Sequence, residues 1–489
     1  MTATEQIQEY DNKAKACLKE LQAKETLTPK DKMALPRAKA LELEPVSRRT
    51  SMAETNLGLT KHQAMLEASR CMQCKKPFCS AACPIGMPIP NYLQKVASGD
   101  FESAIQIIRE HSLFPSICSR VCPHEKQCES NCAMGKLKKN KAEGLSLGNL
   151  ERFCADYERM HLGGKKVPLK EAPTNKKIAI IGSGPAGLAC AIDLAVKGHE
   201  VVIFESAEKL GGVLRYGIPE FRLPKEILDY EISILEKLGI TIKTNTTVGK
   251  DFSIPDLLNK ENFDAVFIGV GATVPQTLGL ESENLEGIFT AEEYLRKANE
   301  NESIDSREDV VIVGGGNVAM DAARMAYRLG AKRVRIVYRR TKEQMPACLA
   351  ELEETLAEGV EICELRNPAA FIAKTNKRVS EILLDVFELG APDEQGRARP
   401  VKVEGKSETI FCDTVVLAIG SKISAEVKNN ANDLQTNPNG TFIVKEGTSG
   451  ETTMKHVYVS GDAMHGPKTV VLAMKTGRQA ALAIHESLV

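Results

Sequence analysis

An α/β protein carrying a separate helical, cysteine-rich N-terminal domain is what this chain predicts. Three observations lead there. Eight cysteines fall into two blocks between Cys71 and Cys132. Two short apolar runs, at 178–181 and 310–313, each end in a glycine turn that opens an alanine-rich helical stretch. Each stretch is followed by another apolar run, at 200–205 and 333–340, so the order strand, turn, helix, strand occurs twice.

Bulk properties narrow the classes. At 489 residues the chain has room for about three domains of roughly 150 residues. It is 43% hydrophobic and 26% charged with a net charge of −1, an ordinary globular balance. Near-neutral charge argues against a broad nucleic-acid or acidic-membrane footprint. The first ten residues are polar, and no run reaches the ~20 apolar residues that cross a bilayer. A cytoplasmic protein with no nucleic-acid or membrane contact is expected. In that reducing compartment clustered cysteines bind metal or catalyse rather than form disulfides.

Along the chain, residues 1–60 are rich in Lys, Glu and Ala, with Pro36 and Pro45 interrupting any long helix. They read as a solvated N-terminal arm with a short helix. Residues 61–165 form the helical cysteine domain, with a helical pair near 91–96 and 101–111 joined at Gly99-Asp100. A linker follows, from Gly163-Gly164-Lys165-Lys166 to Pro173-Thr174-Asn175. The α/β part divides into 176–290, 291–410 and 411–489.

The glycine turns point to dinucleotides. In Gly182-x-Gly184-Pro185-Ala186-Gly187 the glycines permit a tight turn and let backbone approach a pyrophosphate, which the helix N-terminus then faces. Glu205 ends the next strand, and an acid there suits a free ribose diol, as in FAD or NAD. The second copy, Gly314-Gly315-Gly316-Asn317-Val318-Ala319, leads to Tyr338-Arg339-Arg340 instead. A carboxylate would repel a 2′-phosphate, whereas guanidinium groups bind it, so this unit reads as an NADP(H) site. Two nucleotide units with different ribose rules suggest a flavoprotein reductase. Gly212 and Leu214 lie in a segment following the first unit, and two matching apolar runs end in Gly271 and in Ala418-Ile-Gly420. Near the C-terminus Gly461-Asp462 places a carboxylate where a ribityl hydroxyl would lie, and Thr469-Val470 opens a helix able to face a reduced flavin. Because this piece comes last, the NADP unit is inserted in the FAD domain.

The cysteine blocks are Cys71-x2-Cys74-x4-Cys79-x3-Cys83-Pro84 and Cys118-x3-Cys122-Pro123-x4-Cys128-x3-Cys132. A zinc site pairs two close cysteines with two more after a gap, and the x4 and x3 steps lack that gap. Cys-Pro endings and a neighbouring flavin favour 4Fe–4S clusters, although the x4 gap departs from the ferredoxin run. Interleaving of the two blocks is the expected topology, because in two-cluster ferredoxins the last cysteine of a run serves the other cluster.

Taken in order, the cysteine blocks, both glycine turns, Gly-Gly-x-Leu-x-Tyr-Gly-Ile-Pro, Tyr-Arg-Arg, Met345-Pro346-Ala347 and Gly-Asp-Ala resemble the glutamate synthase small (beta) subunit family. That family includes the large subunit of NADH-dependent reduced ferredoxin:NADP oxidoreductase and the N-terminal half of dihydropyrimidine dehydrogenase. The resemblance implies a helical domain with two 4Fe–4S clusters followed by two Rossmann-like domains, FAD-binding and NADP-binding, the second inserted in the first. It implies an NADPH-dependent flavin oxidoreductase in which NADPH reduces the flavin and the clusters pass electrons singly to a partner subunit. An NADP(H)-binding large subunit of an electron-bifurcating ferredoxin:NADP transhydrogenase or hydrogenase-type complex is the alternative. By the same resemblance Cys71, Cys74, Cys79 and Cys132 hold one cluster. Cys83, Cys122 and Cys128 hold the other, with Glu151 at the fourth position and Cys118 as its competitor. Arg222 and Val248 are implied FAD contacts, and Gly316, Asn317, Arg339 and Arg340 implied NADP contacts. No catalytic side chain is assigned. Cys17, Cys190, Cys348, Cys363 and Cys412 read as isolated small residues.

Overall fold

The computed structural model describes residues 3–24, 26–373, 377–392 and 396–489. Helix α1 (Ala3–Gln22) places Ala14, Cys17, Leu18 and Leu21 on one face, a helical spacing that buries them against Leu35, Met65 and Leu66. Leu66 belongs to α2 (Lys61–Ser69), whose His62 Nδ1 lies 2.8 Å from Asp11 Oδ2. Residues 41–58 then cross the molecule: Leu41–Glu42 pairs with Asn56–Gly58, and Arg48 is only 1% exposed. The N-terminal stretch is therefore a packed strap rather than a solvated arm, because its apolar stripe and Arg48 find partners that are distant in sequence.

The helical pair expected around Gly99 is α3 (Ile89–Ser98) and α4 (Phe101–His111). Gly99 takes a left-handed conformation, and Asp100 caps α4 by accepting from the Ser103 N–H. With α5 (Pro115–Val121) and α6 (Leu147–His161) these helices enclose a core that includes Tyr92, Phe101, Ile108, Leu150 and the thiols of Cys128 and Cys132.

Beyond the linker lie two parallel sheets built from β1 (Lys177–Ile181), β2 (Glu200–Phe204), β3 (Thr241–Lys243), β4 (Ala265–Ile268), β5 (Ile288–Thr290), β6 (Asp309–Val313), β7 (Arg333–Tyr338), β8 (Glu361–Glu364), β9 (Thr414–Leu417) and β10 (Val457–Val459). The first has the order β10-β4-β1-β2-β3 and the second β8-β7-β6-β9-β5. Most of these strands are continuous apolar runs, as sheets covered on both faces require. A three-stranded antiparallel sheet (Arg366–Ile372, Glu381–Pro392, Ala398–Phe411) stands beside the second parallel sheet. β5 and β9, expected in the flanking FAD segments, pair within the second sheet, β9 lying between β5 and β6. The chain therefore returns to the first sheet after residue 417 rather than at 411. An apolar run ending in a glycine turn serves either sheet equally well, and only pairing decides which.

Helix α7 (Pro185–Val196) follows the first glycine turn, and α8 (Asn317–Arg328) follows the second. α9 (Leu349–Ala357) packs on α8, and the last helix, α10 (Val470–Leu488), lies against α7. Contact between α7 and α10 depends on Gly477, where a Cβ would come within 2.3 Å of the Ala186 carbonyl oxygen. Two buried carboxylates clamp the parts together. Glu358 accepts from Arg48, Arg324 and Arg328 at 2.9, 3.1 and 2.7 Å. Glu231 accepts from Arg109, Lys165 and the Ser116 N–H at 2.8, 3.2 and 3.0 Å, joining helical domain, linker and FAD domain.

Candidate redox centre and nucleotide sites

The first glycine turn closes tightly. Gly182 has a φ of 90°, and a Cβ there would meet the Gly269 carbonyl oxygen at 2.7 Å. At Gly187 a Cβ would fall 2.0 Å from the Gly182 oxygen, so α7 leaves β1 at a distance that only glycine allows. A cleft of about 330 Å³ opens above this turn. Gly182, Gly184, Pro185, Ala186, Glu205, Gly212, Val248, Gly271, Gly461, Asp462, Thr469 and Val470 line it. Glu205 is buried and accepts from the Ser183 and Ala207 N–H groups, both at 2.9 Å. Burial pushes the Asp462 carboxyl up to about 6, and one of its oxygens accepts from the Lys468 N–H at 3.0 Å. Thr469 caps α10. Thr246, Thr247 and Lys468 also line the cleft. Sequence reasoning missed them, since polar residues in turns carry no spacing signal.

Leu214 is buried in the core of this domain and does not line the cleft. Arg222 points elsewhere: it holds Asp321 through Nη1 at 2.8–2.9 Å and Glu351 through Nε at 2.9 Å. It borders a cavity of about 560 Å³ shared with Cys122, His124 and Cys348, between the helical domain and α9.

At the second turn, Gly314 has a φ of 142° and its Cβ would meet the Ala418 oxygen at 2.2 Å, which ties the turn to the end of β9. A Cβ on Gly315 would strike the Tyr338 ring at 2.6 Å. Gly316 caps α8, with Asn317, Val318 and Ala319 forming its first turn. Asn317 Oδ1 accepts from the Cys348 N–H at 2.7 Å. Gly420 turns the chain after β9, its carbonyl accepting from the Gln276 N–H at 2.9 Å. The two arginines after β7 differ. Arg339 is exposed, whereas Arg340 is buried and donates from Nε to the Ala398 carbonyl at 2.8 Å. Arg397, which sequence reasoning missed, donates to the Tyr338 hydroxyl at 3.3 Å.

The thiols separate into two groups that interleave the blocks. Burial pushes Cys71 and Cys79 up to about 11, and the nearby thiols of Cys132 and Cys74 act on both in the same direction. The other group surrounds a cavity of about 30 Å³ among Cys83, Cys118, Cys122, Cys128, His124 and Glu151. Glu151 projects from α6, and burial pushes its carboxyl up to about 8. Its Oε1 has no hydrogen-bond partner. Cys118 lines the same cavity, and its Sγ also lies 3.6 Å from Met474 Sδ on α10. None of the fourteen cysteines is in a disulfide. Among the described residues no three His, Cys, Asp or Glu side chains converge as a single ion would require.

These residues fit the groups expected of them. A buried carboxyl oxygen without a partner is costly, and iron bound in the cavity it shares with Cys83, Cys122 and Cys128 would satisfy it. The glycine cradle and the α7 N-terminus fit a pyrophosphate, and Glu205, which lines the cleft, fits a ribose diol.

Comparison with known proteins agrees with this architecture. Residues 48–162 match the family model for dihydropyrimidine dehydrogenase domain II, 4Fe-4S cluster, and residues 176–477 match pyridine nucleotide-disulphide oxidoreductase. The fold and site thus define an iron–sulfur flavin oxidoreductase that uses pyridine nucleotide. More particularly, the chain belongs to the family of NADPH-dependent glutamate synthase small chains. It is 33% identical over 448 residues to the Escherichia coli K12 glutamate synthase [NADPH] small chain, covering 89% of this chain and 93% of that one. The Halomonas elongata small chain is 34% identical, with 87% and 91% covered. The NADP(+)-dependent formate dehydrogenase subunit beta of Moorella thermoacetica is 37% identical over 84% of this chain and 60% of its own length. Mycobacterium tuberculosis FprA in complex with NADPH shares the fold, at a TM-score of 0.53 and 22% identity over 65% of this chain and 84% of that one. The protein is accordingly an NADPH-dependent flavin oxidoreductase with 4Fe–4S, FAD and NADP(H) as cofactors. Three of these relatives are named as parts of larger enzymes, two as small chains and one as a subunit beta. Among the described residues no helix is long and apolar enough to cross a membrane.

Proposed function

We propose that this chain is the electron-input subunit of a cytoplasmic hetero-oligomer of glutamate synthase type, taking electrons from NADPH and delivering them through two clusters to a catalytic partner. When bound, FAD accepts hydride from NADPH, and the clusters move electrons one at a time.

The protein's own residues bind, orient and insulate. Gly182, Gly184 and Gly187 let the backbone reach a pyrophosphate, and Glu205 and Asp462 offer carboxylates to hydroxyls along the cofactor. Gly316 and Asn317 present the second helix N-terminus to the other nucleotide. Arg339, exposed beyond β7, is the guanidinium available to a 2′-phosphate, while Arg340 braces the neighbouring hairpin. Cys71, Cys74, Cys79 and Cys132 would hold one cluster, and Cys83, Cys122, Cys128 and Glu151 the other.

One observation carries the reading: Glu151 is a buried carboxyl with an oxygen lacking any donor, in a cavity that it shares with Cys83, Cys122 and Cys128. Anaerobic purification from the native host tests the whole. Iron and flavin on the chain, bleaching of the flavin by NADPH in preference to NADH, and a co-purifying large subunit are expected. Zinc in place of iron, or no bleaching by either nucleotide, would overturn it.

A further inference from the structure

Charge on this molecule is nearly balanced, 64 basic residues against 65 acidic, yet it is unevenly placed around the first thiol group. The segments that carry its four cysteines, residues 71–82 and 132–142, contain six lysines and no acidic residue. Lys75, Lys76, Lys136 and Lys139 are exposed. Of these six lysines, Lys138 alone is in an ion pair among the described residues, with Glu143 at 3.1 Å. Two large apolar side chains stand out of the same surface: Phe78 is 56% exposed and Leu137 is 51% exposed. The segments adjoin, since Lys136 Nζ lies 4.3 Å from the centre of the Phe78 ring.

We infer that this face is the docking surface for an acidic iron–sulfur protein, which receives electrons there. The inference rests on the proposed cluster ligation by Cys71, Cys74, Cys79 and Cys132. Charge complementarity argues for the partner's sign: like charge between two faces is costly, and opposite charge speeds encounter and fixes register. The exposed Phe78 and Leu137 supply the apolar contact that a ring of lysines by itself lacks. Cys74 and Cys79 are partly exposed between them, so a redox centre just behind the partner's acidic face would come close to the first cluster. The exchange balances as NADPH plus two oxidised one-electron acceptors giving NADP⁺, one proton and two reduced acceptors.

The test uses the intact cofactor-loaded protein with a plant-type 2Fe–2S ferredoxin as the acidic probe. Cytochrome c downstream reoxidises the probe, since the probe is harder to reduce than NADP⁺. Probe-dependent cytochrome c reduction reports the rate. Reduction of the probe is followed from 20 to 300 mM salt in the wild type and in a charge-reversal variant, Lys75→Glu, Lys76→Glu, Lys136→Glu and Lys139→Glu. A control reverses four exposed lysines of the FAD domain: Lys209→Glu, Lys237→Glu, Lys250→Glu and Lys455→Glu. We expect the wild-type rate to fall steeply with salt, and the first variant to lose about tenfold at low salt and respond little to salt thereafter. The control should behave as wild type. An equal loss in the control, no loss in the first variant, or wild-type binding to anionic phospholipid vesicles without salt-dependent probe reduction would overturn the assignment. Flavin bleaching by NADPH and iron content, measured on the same samples, report separately whether the electron-input reading itself holds.

Discussion

Val470 and Val471, consecutive residues at the start of α10, face two different cavities. Val470 lines the nucleotide cleft, and Val471 lines the space among Cys83, Cys122, Cys128 and Glu151. Successive side chains on a helix point to different faces, so one turn of α10 borders both cavities. One turn further along, Met474 touches Cys118. The N-terminus of α10 thus lines both the nucleotide cleft and the cavity of the second thiol group, a shared wall that would suit passage of electrons between cofactors bound in the two.

Replacing Glu151 separates the candidate ligands. Glu151→Ala is expected to cut iron to about half and to remove one of two cluster signals in low-temperature electron paramagnetic resonance, whereas Cys118→Ser leaves both. Cys118 lines the same cavity but has Met474 and Cys122 as neighbours, while Glu151 Oε1 has no hydrogen-bond partner. The opposite pattern would make Cys118 the ligand.

Nucleotide preference should reside in Arg339 more than in Arg340. Removing a charged hydrogen bond costs about 1.5–3 kcal/mol, so Arg339→Ala should raise KM for NADPH roughly ten- to a hundredfold and leave NADH unchanged. Arg340→Ala should lower thermal stability instead, because it orphans the Ala398 carbonyl. Steady-state kinetics with both nucleotides, alongside melting temperatures, decide this.

Gly187→Ala is expected to yield protein that keeps its iron but lacks FAD. The added methyl would sit 2.0 Å from a backbone oxygen of the turn that cradles the pyrophosphate, so the turn itself must move. Flavin and iron stoichiometry on the purified variant check it, and full flavin occupancy would contradict the close approach.

Glu231 makes an acid-sensitive joint. Burial alone would raise its carboxyl, but Arg109 and Lys165 outweigh burial and hold it down at about 2. A carboxyl lowered on folding contributes stability that is complete above its ordinary value near 4.5 and is lost as pH falls toward about 2. The contribution is on the order of 3 kcal/mol. The melting temperature of Glu231→Gln should lie well below that of the wild type at pH 7, and the gap should narrow between pH 4.5 and 3.5. A gap independent of pH would mean that the ion pairs contribute little.

Much of this was legible in the sequence. Both glycine turns, the acid after β2, the arginines after β7 and the paired helices around Gly99 are local matters: a left-handed turn, a helix cap or an apolar run is specified by a few neighbouring residues. The stripe Ala14, Cys17, Leu18, Leu21 was equally readable, and its helical spacing argues against a solvated arm. Other features belong to the tertiary structure alone. Thr414–Leu417 joined the second sheet because pairing, not pattern, chooses between two equivalent sheets. Arg339 and Arg340 are indistinguishable as letters, but one faces solvent and the other the Ala398 carbonyl. Glu151 becomes distinctive only when folding strips water and every donor from one of its oxygens. Sequence by itself determined which chemical groups this protein carries and in what order. Long-range packing decided which of them are left without partners, and desolvation is the reason those are the groups that a cofactor must satisfy.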